Sequence, residues 1–186
     1  MLNRVYLTGI HETMATSAIL ANEFLAKLSC DLLGDPAELE FPMATINLGQ
    51  VISLHKEMSH LCNPKIALYT PSLFNLVQRK VNGYTSGDYE TIHLNSRNLN
   101  RYTPAIVGTI VHEYFHCLEF HAQRVHGKWI QFNHGGNSPK GNTLPEYMGY
   151  RAAIFAEKMM EKIVQYNEME KSIQVYDAER EMEQWA

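Results

Sequence analysis

The chain has 186 residues, 45% of them hydrophobic and 19% charged, with a formal net charge of −4. That length fits one domain, and the apolar share is ample for a packed core, which excludes a wholly disordered chain. The acidic balance argues against a protein that lives on nucleic acid or an anionic membrane surface.

No apolar run approaches the roughly 18 residues of a membrane span. Residues 1–14 carry one early Arg and a short apolar stretch broken by His11 and Glu12, a poor secretory signal. Cys30, Cys62 and Cys117 are odd in number and widely spaced, so they make no disulfide framework. The expectation is a cytoplasmic single domain over 1–186, of open oligomeric state, with no nucleic-acid or membrane partner.

The elements follow in order. Apolar residues from Ile19 to Leu32 recur near a 3.6 period, which predicts a helix over Ala15–Leu33, stopped by Gly34-Asp35-Pro36. Asn47–Leu61 is a second amphipathic candidate. Lys65–Tyr69 is short, apolar and bounded by prolines, as a buried strand is, and Pro71–Lys80 predicts a short helix. Val81–Thr85 and Glu90–Asn95 flank Ser86-Gly87-Asp88, which reads as a hairpin or tight turn. Thr103 and Pro104 then supply a cap and a first position for a helix with the stripe Val107, Ile110, Val111, Tyr114 and Leu118. The glycine-rich stretch over 123–142 reads as a loop, and a loop that long in a compact domain is usually functional. Thr143–Val164 is a strong helix, and 165–186 is an acidic tail of helical propensity, expected to pack on the domain surface.

Inside the predicted helix from Thr103 the chain spells His112-Glu113-Tyr114-Phe115-His116, the pattern H-E-x-x-H. Spacing i, i+4 puts both imidazoles on one helix face a turn apart, where they can hold one ion, and that face differs from the apolar stripe. Glu113 stands beside them, able to take a proton from a zinc-activated water. A catalytic zinc needs a third protein ligand. The candidates are His134 in Phe132-Asn133-His134-Gly135-Gly136-Asn137, Glu146 at the start of the next helix, His126 and Glu157. His121 falls one residue short of the H-E-x-x-H-x-x-G-x-x-H spacing, with Glu119 where that pattern has Gly.

The run from Asn82 to Gly149 resembles a group of small zinc-peptidase-like proteins of bacteria and their phages. The resemblance is carried by Gly83-Tyr84-Thr85, Ile92-His93-Leu94-Asn95, His112–His116, Phe132–Asn137 and Pro145–Gly149. In that group the histidine of the F-x-H segment follows the second ligand closely, in a metzincin-like spacing. Here a longer stretch separates them, and Glu146 stands where the group has Tyr. A Glu ligand from the later helix would make the site gluzincin-like. A weaker likeness, of His126-Gly127-Lys128-Trp129 to the H-G-x-x-W segment of SprT-like proteases, offers His126 instead, with the Trp one position early.

The resemblance implies an α+β, zincin-like domain, rich in helices, with a small mixed or antiparallel sheet packed on the H-E-x-x-H helix. The strand Thr91–Asn95 is then expected at the sheet edge above the cleft. The function implied is a zinc metallopeptidase that hydrolyses peptide or protein substrates, with Zn2+ on His112, His116 and His134 and with Glu113 as general base. Tyr147 is the expected oxyanion donor and Tyr150 its substitute. The alternative is a catalytically silent zincin-fold module that binds a partner.

Overall fold

The computed structural model describes residues 12–33, 41, 44–72, 81–132 and 143–183, with the side chains of the last helix described as far as residue 167. It is an α+β arrangement of five helices and three strands among the described residues. In chain order these are α1 (Glu12–Ala26), α2 (Cys30–Leu33), α3 (Leu48–Met58), β1 (Lys65–Tyr69), β2 (Gly83–Thr85), β3 (Thr91–Asn95), α4 (Thr103–His126) and α5 (Leu144–Glu183). The short helix predicted over Pro71–Lys80 falls largely on 73–80, and His134 falls on 133–142; both segments lie outside the described residues.

The predicted first helix is split in two. The first part ends at Ala26, and Ser29 starts the second, its Oγ accepting the Leu32 N–H and its carbonyl the Leu33 N–H. At α3, Asn47 and Gln50 close a capping box, Asn47 Oδ1 accepting the Gln50 N–H at 2.9 Å and Gln50 Oε1 accepting the Asn47 N–H at 2.8 Å. At α4 the expected Thr103 cap gives way: Tyr102 is the N-cap, Thr103 is already helical, and no side chain caps the end. The acidic tail is not a separate element, because α5 continues unbroken from Leu144 to Glu183, and residues 161–167 are exposed on every face. No helix among the described residues is long and apolar enough to cross a membrane.

The sheet is mixed, in the order β1-β3-β2. The hairpin expectation holds for β2 and β3, which pair antiparallel from Gly83↔Leu94 to Thr85↔Ile92. β1 pairs parallel to β3, from Lys65↔Thr91 to Tyr69↔Asn95. That second pairing corrects the expectation for Thr91–Asn95: among the described residues it is the central strand, and the edges are β1 and β2.

α4 is the central element, packed against α5, α1, α3 and the sheet. Its predicted stripe of Val107, Ile110, Val111, Tyr114 and Leu118 is buried throughout. So is Phe115 on the adjoining face, while His112 and His116 are half-buried and the last turn, Arg124–His126, is exposed.

One buried polar pair stands inside this core. His55 Nδ1 lies 2.9 Å from Tyr114 Oη and His55 Nε2 lies 3.1 Å from the Leu25 carbonyl, so the neutral ring donates from Nε2 and accepts the tyrosine proton at Nδ1. Burial holds the ring's pKa below the usual histidine value, against the Leu25 carbonyl, which pulls it up. A pKa lowered on folding means the unfolded chain binds the proton more readily, so this stability is present above about pH 6.5 and is lost as pH falls. Denaturation midpoints of the wild type and His55→Gln are therefore expected to converge between about pH 7.5 and pH 5. A constant gap across that range would show that the ring is not held neutral.

Candidate functional site

α4 delivers His112, Glu113 and His116. The two imidazoles stand a turn apart with ring planes at 74°, and their Nε2 atoms are 3.2 Å from each other. Two zinc–nitrogen bonds of about 2.05 Å meeting at the tetrahedral angle put their nitrogens about 3.3 Å apart, so the pair has the spacing of two ligands on one ion. The same distance suits one Nε2–H donating to the other bare Nε2, a state in which a proton holds the place that a cation can take.

Glu113 is 7% exposed, with Oε1 4.0 Å from His112 Nε2. Burial pushes its carboxyl up to about 7, against a hydrogen bond donated by the Thr85 backbone N–H, which favours the charged form. That bond ties the edge strand β2 to the site. Gly83 makes the approach possible: a Cβ there would lie 2.8 Å from Thr109 Cγ2, so the bare backbone of β2 rests on the Thr109 methyl of α4.

His112 and Glu113 open on a cleft of about 360 Å³ that Asn82, Arg101, Thr109 and Glu146 also line, while His116 stands outside that lining. Its far wall is α5. A Cβ at Gly108 would meet the Gly149 carbonyl oxygen at 2.8 Å and Ala153 Cβ at 3.4 Å, and one at Gly149 would meet His112 Cβ at 3.2 Å. Gly108 thus faces Ala153 while His112 faces Gly149. The helices cross antiparallel with their backbones in contact, and Glu146 lies towards the His112–His116 end.

No known family, curated protein sequence or solved structure matches the chain.

The other expected residues are placed as follows. His126 is ten residues beyond His116 on the same helix, about 15 Å along its axis, and it pairs with Glu57 at 3.0 Å beside a separate cavity that Trp129 helps to line. It is not part of the cleft. Glu157 is exposed, three turns beyond Glu146 on α5. His121 lines another hollow with Leu61 and Tyr89. Among the described residues no third His, Cys, Asp or Glu forms a cluster of three with the histidine pair.

Tyr147 is the clearest correction. Its hydroxyl donates to the Leu33 carbonyl and its ring leans on Phe41 at 5.5 Å. Arg151, one turn on, donates to the Leu32 carbonyl. This face of α5 clamps the end of α2, whose last carbonyls need donors, while Glu146 and Gly149 face the cleft. Tyr150 is 64% exposed and does not line the cleft.

Glu119, which stands where the longer motif has Gly, has a defined task. Its Oε1 accepts the Phe132 N–H at 2.9 Å, while Gln123 Nε2 donates to the Ile130 carbonyl at 2.7 Å. The segment after α4 is thereby folded back along the helix, and its end is fastened one turn from His116. Arg101 was not anticipated at all, since its position before a helix start carries no periodic or motif signal.

Proposed function

We propose that the chain is a zinc-dependent peptidase of zincin-like architecture, in which His112 and His116 hold the ion and Glu113 handles the proton. The observation that carries this reading is the 3.2 Å separation of the two Nε2 atoms beside a buried carboxylate, with His112 and Glu113 lining an open cleft. The third ligand comes from His134 or Glu146. Phe132 is fastened to Glu119 three residues from His116, and the two residues from there to His134 span at most about 7 Å. Glu146 lies across the cleft on α5.

Zinc, when bound, supplies Lewis acidity that makes a water molecule acidic and polarises a carbonyl oxygen. The Glu113 carboxylate takes the water proton at Oε1 or Oε2 and returns it to the departing amine. Thr85 N–H keeps that carboxylate aimed. An extended peptide fits the rim of this cleft, because β2 is an edge strand and its neighbour Asn82 lines the opening. Backbone pairing to such an edge gives affinity with little demand on side chains.

The test is zinc content, measured by elemental analysis on tag-free protein. His112→Ala and His116→Ala are expected to empty the site and His126→Ala to leave it full. Of His134→Ala and Glu146→Ala, the one that removes the true ligand empties it as well. Zinc-free wild-type protein that takes up none on addition would end the proposal. Zinc without cleavage of any peptide would leave a binding module.

A further inference from the structure

The cleft has two ends of different charge. His112, Glu113 and Glu146 form one. Towards the N-terminus of α4 the wall is Arg101, whose Nε donates to the Asn98 carbonyl at 2.8 Å and whose Nη1 lies 3.3 Å from Thr109 Oγ1. Both acceptors are neutral. A guanidinium has five N–H donors in a planar fork, and none of the ion pairs among the described residues engages this one.

The Arg101 side chain is partly buried, and that burial disfavours its charge. It also precedes a helix start, where the peptide dipoles present positive charge. The Asn98 carbonyl and the Thr109 hydroxyl nevertheless hold it in place. Thr109 is three residues before His112, so the two are neighbours on the helix surface.

We propose that Arg101 determines specificity by pairing with a carboxylate of the substrate, one to two residues from the bond that is cut. This deepens the peptidase reading and rests on it for the word substrate. The carboxylate has two sources, the free C-terminus of a peptide or an Asp or Glu side chain. An extended chain advances about 3.3–3.6 Å per residue, so either reaches the Arg101 guanidinium, held at Thr109, from His112, which is three residues or about 4.5 Å further along the helix axis. Glu146 does not repel it, since the antiparallel crossing puts that acid at the opposite end of the cleft.

The experiment measures binding of four short probes to the protein as purified: acetyl-Ala-Ala, its C-terminal amide, acetyl-Glu-Ala-amide and acetyl-Gln-Ala-amide. One acid is expected to bind at least about tenfold more tightly than its neutral partner, as charge-assisted bidentate pairing implies. Which acid wins identifies the source. Arg101→Gln is expected to erase the ratio between acid and neutral probe, and Arg101→Lys to keep part of it. A merely structural role would change all four affinities together. Should Arg101→Gln not fold, the Lys variant and the wild-type ratios still decide. Equal binding of acid and neutral probes, a preference that survives Arg101→Gln, or no binding of any probe overturns the proposal. Cleavage of a mixed peptide library is followed in parallel. An Arg101-dependent preference without cleavage removes the peptidase reading and leaves the carboxylate site, whereas cleavage indifferent to acid and to Arg101→Gln does the reverse.

Discussion

Replacing Glu113 by glutamine is expected to lower peptide turnover by about 10²–10⁴-fold, the usual contribution of a positioned general base, while zinc content stays unchanged. The amide has the size of the carboxyl group and keeps an oxygen to accept the Thr85 N–H, so β2 and α4 stay together. What it loses is the ability to take a proton 4.0 Å from His112 Nε2. Turnover and elemental zinc measured on the same preparation separate this from a variant that has lost its ion, as His116→Ala is expected to do. A chelator should abolish cleavage in the wild type, and added zinc should restore it. Cleavage that persists in Glu113→Gln would refute the role given to this residue.

The parts of the site that were legible in the sequence are those fixed within one helix. His112, Glu113 and His116 need only 3.6 residues per turn to converge, and the buried stripe of Val107, Ile110, Val111, Tyr114 and Leu118 says which face they leave open. The β2–β3 hairpin was legible for the same reason, since its pairing is local. What depended on distant partners was not. That β3 is central follows from its parallel pairing with β1, more than twenty residues earlier in the chain. The direction of Tyr147 was decided by the open carbonyls at the end of α2, which no pattern around residue 147 announces. A new helix starts at Ser29 within a periodicity that runs straight through it, because its hydroxyl accepts the Leu32 N–H. Arg101 acquires a meaning only once Asn98 and Thr109 hold it in the cleft wall.

The crossing of α4 and α5 yields the second large effect, and its sign runs against helix propensity. Gly→Ala inside a helix ordinarily gains up to about 1 kcal/mol. At Gly149 the added methyl would lie 2.6 Å from the Gly108 carbonyl oxygen and 3.2 Å from His112 Cβ. Both neighbours belong to α4, and one is backbone, so no side-chain rotation relieves the overlap and the helices must separate. Overpacking of this kind costs about 1–3 kcal/mol, which in a chain of this length lowers the melting temperature by roughly 3–10 °C. Because His112 is one of the atoms pushed, Gly149→Ala is also expected to weaken zinc binding by about tenfold or more, the scale of losing a ligand's support. Gly108→Ala, whose methyl would lie 2.8 Å from the Gly149 carbonyl oxygen, should lose stability similarly but disturb zinc less, because its contacts are with α5 rather than with His112. Gly49→Ala is the control. It lies in the first turn of α3 with nothing nearer than Asn47 Oδ1 at 3.4 Å, and it should gain about 0.5 kcal/mol. Thermal melts of the three variants, with zinc affinity measured by competition with a chelator, check the whole set. A Gly149→Ala protein as stable as Gly49→Ala would mean that the two backbones do not touch, and that His112 is not braced from behind by α5.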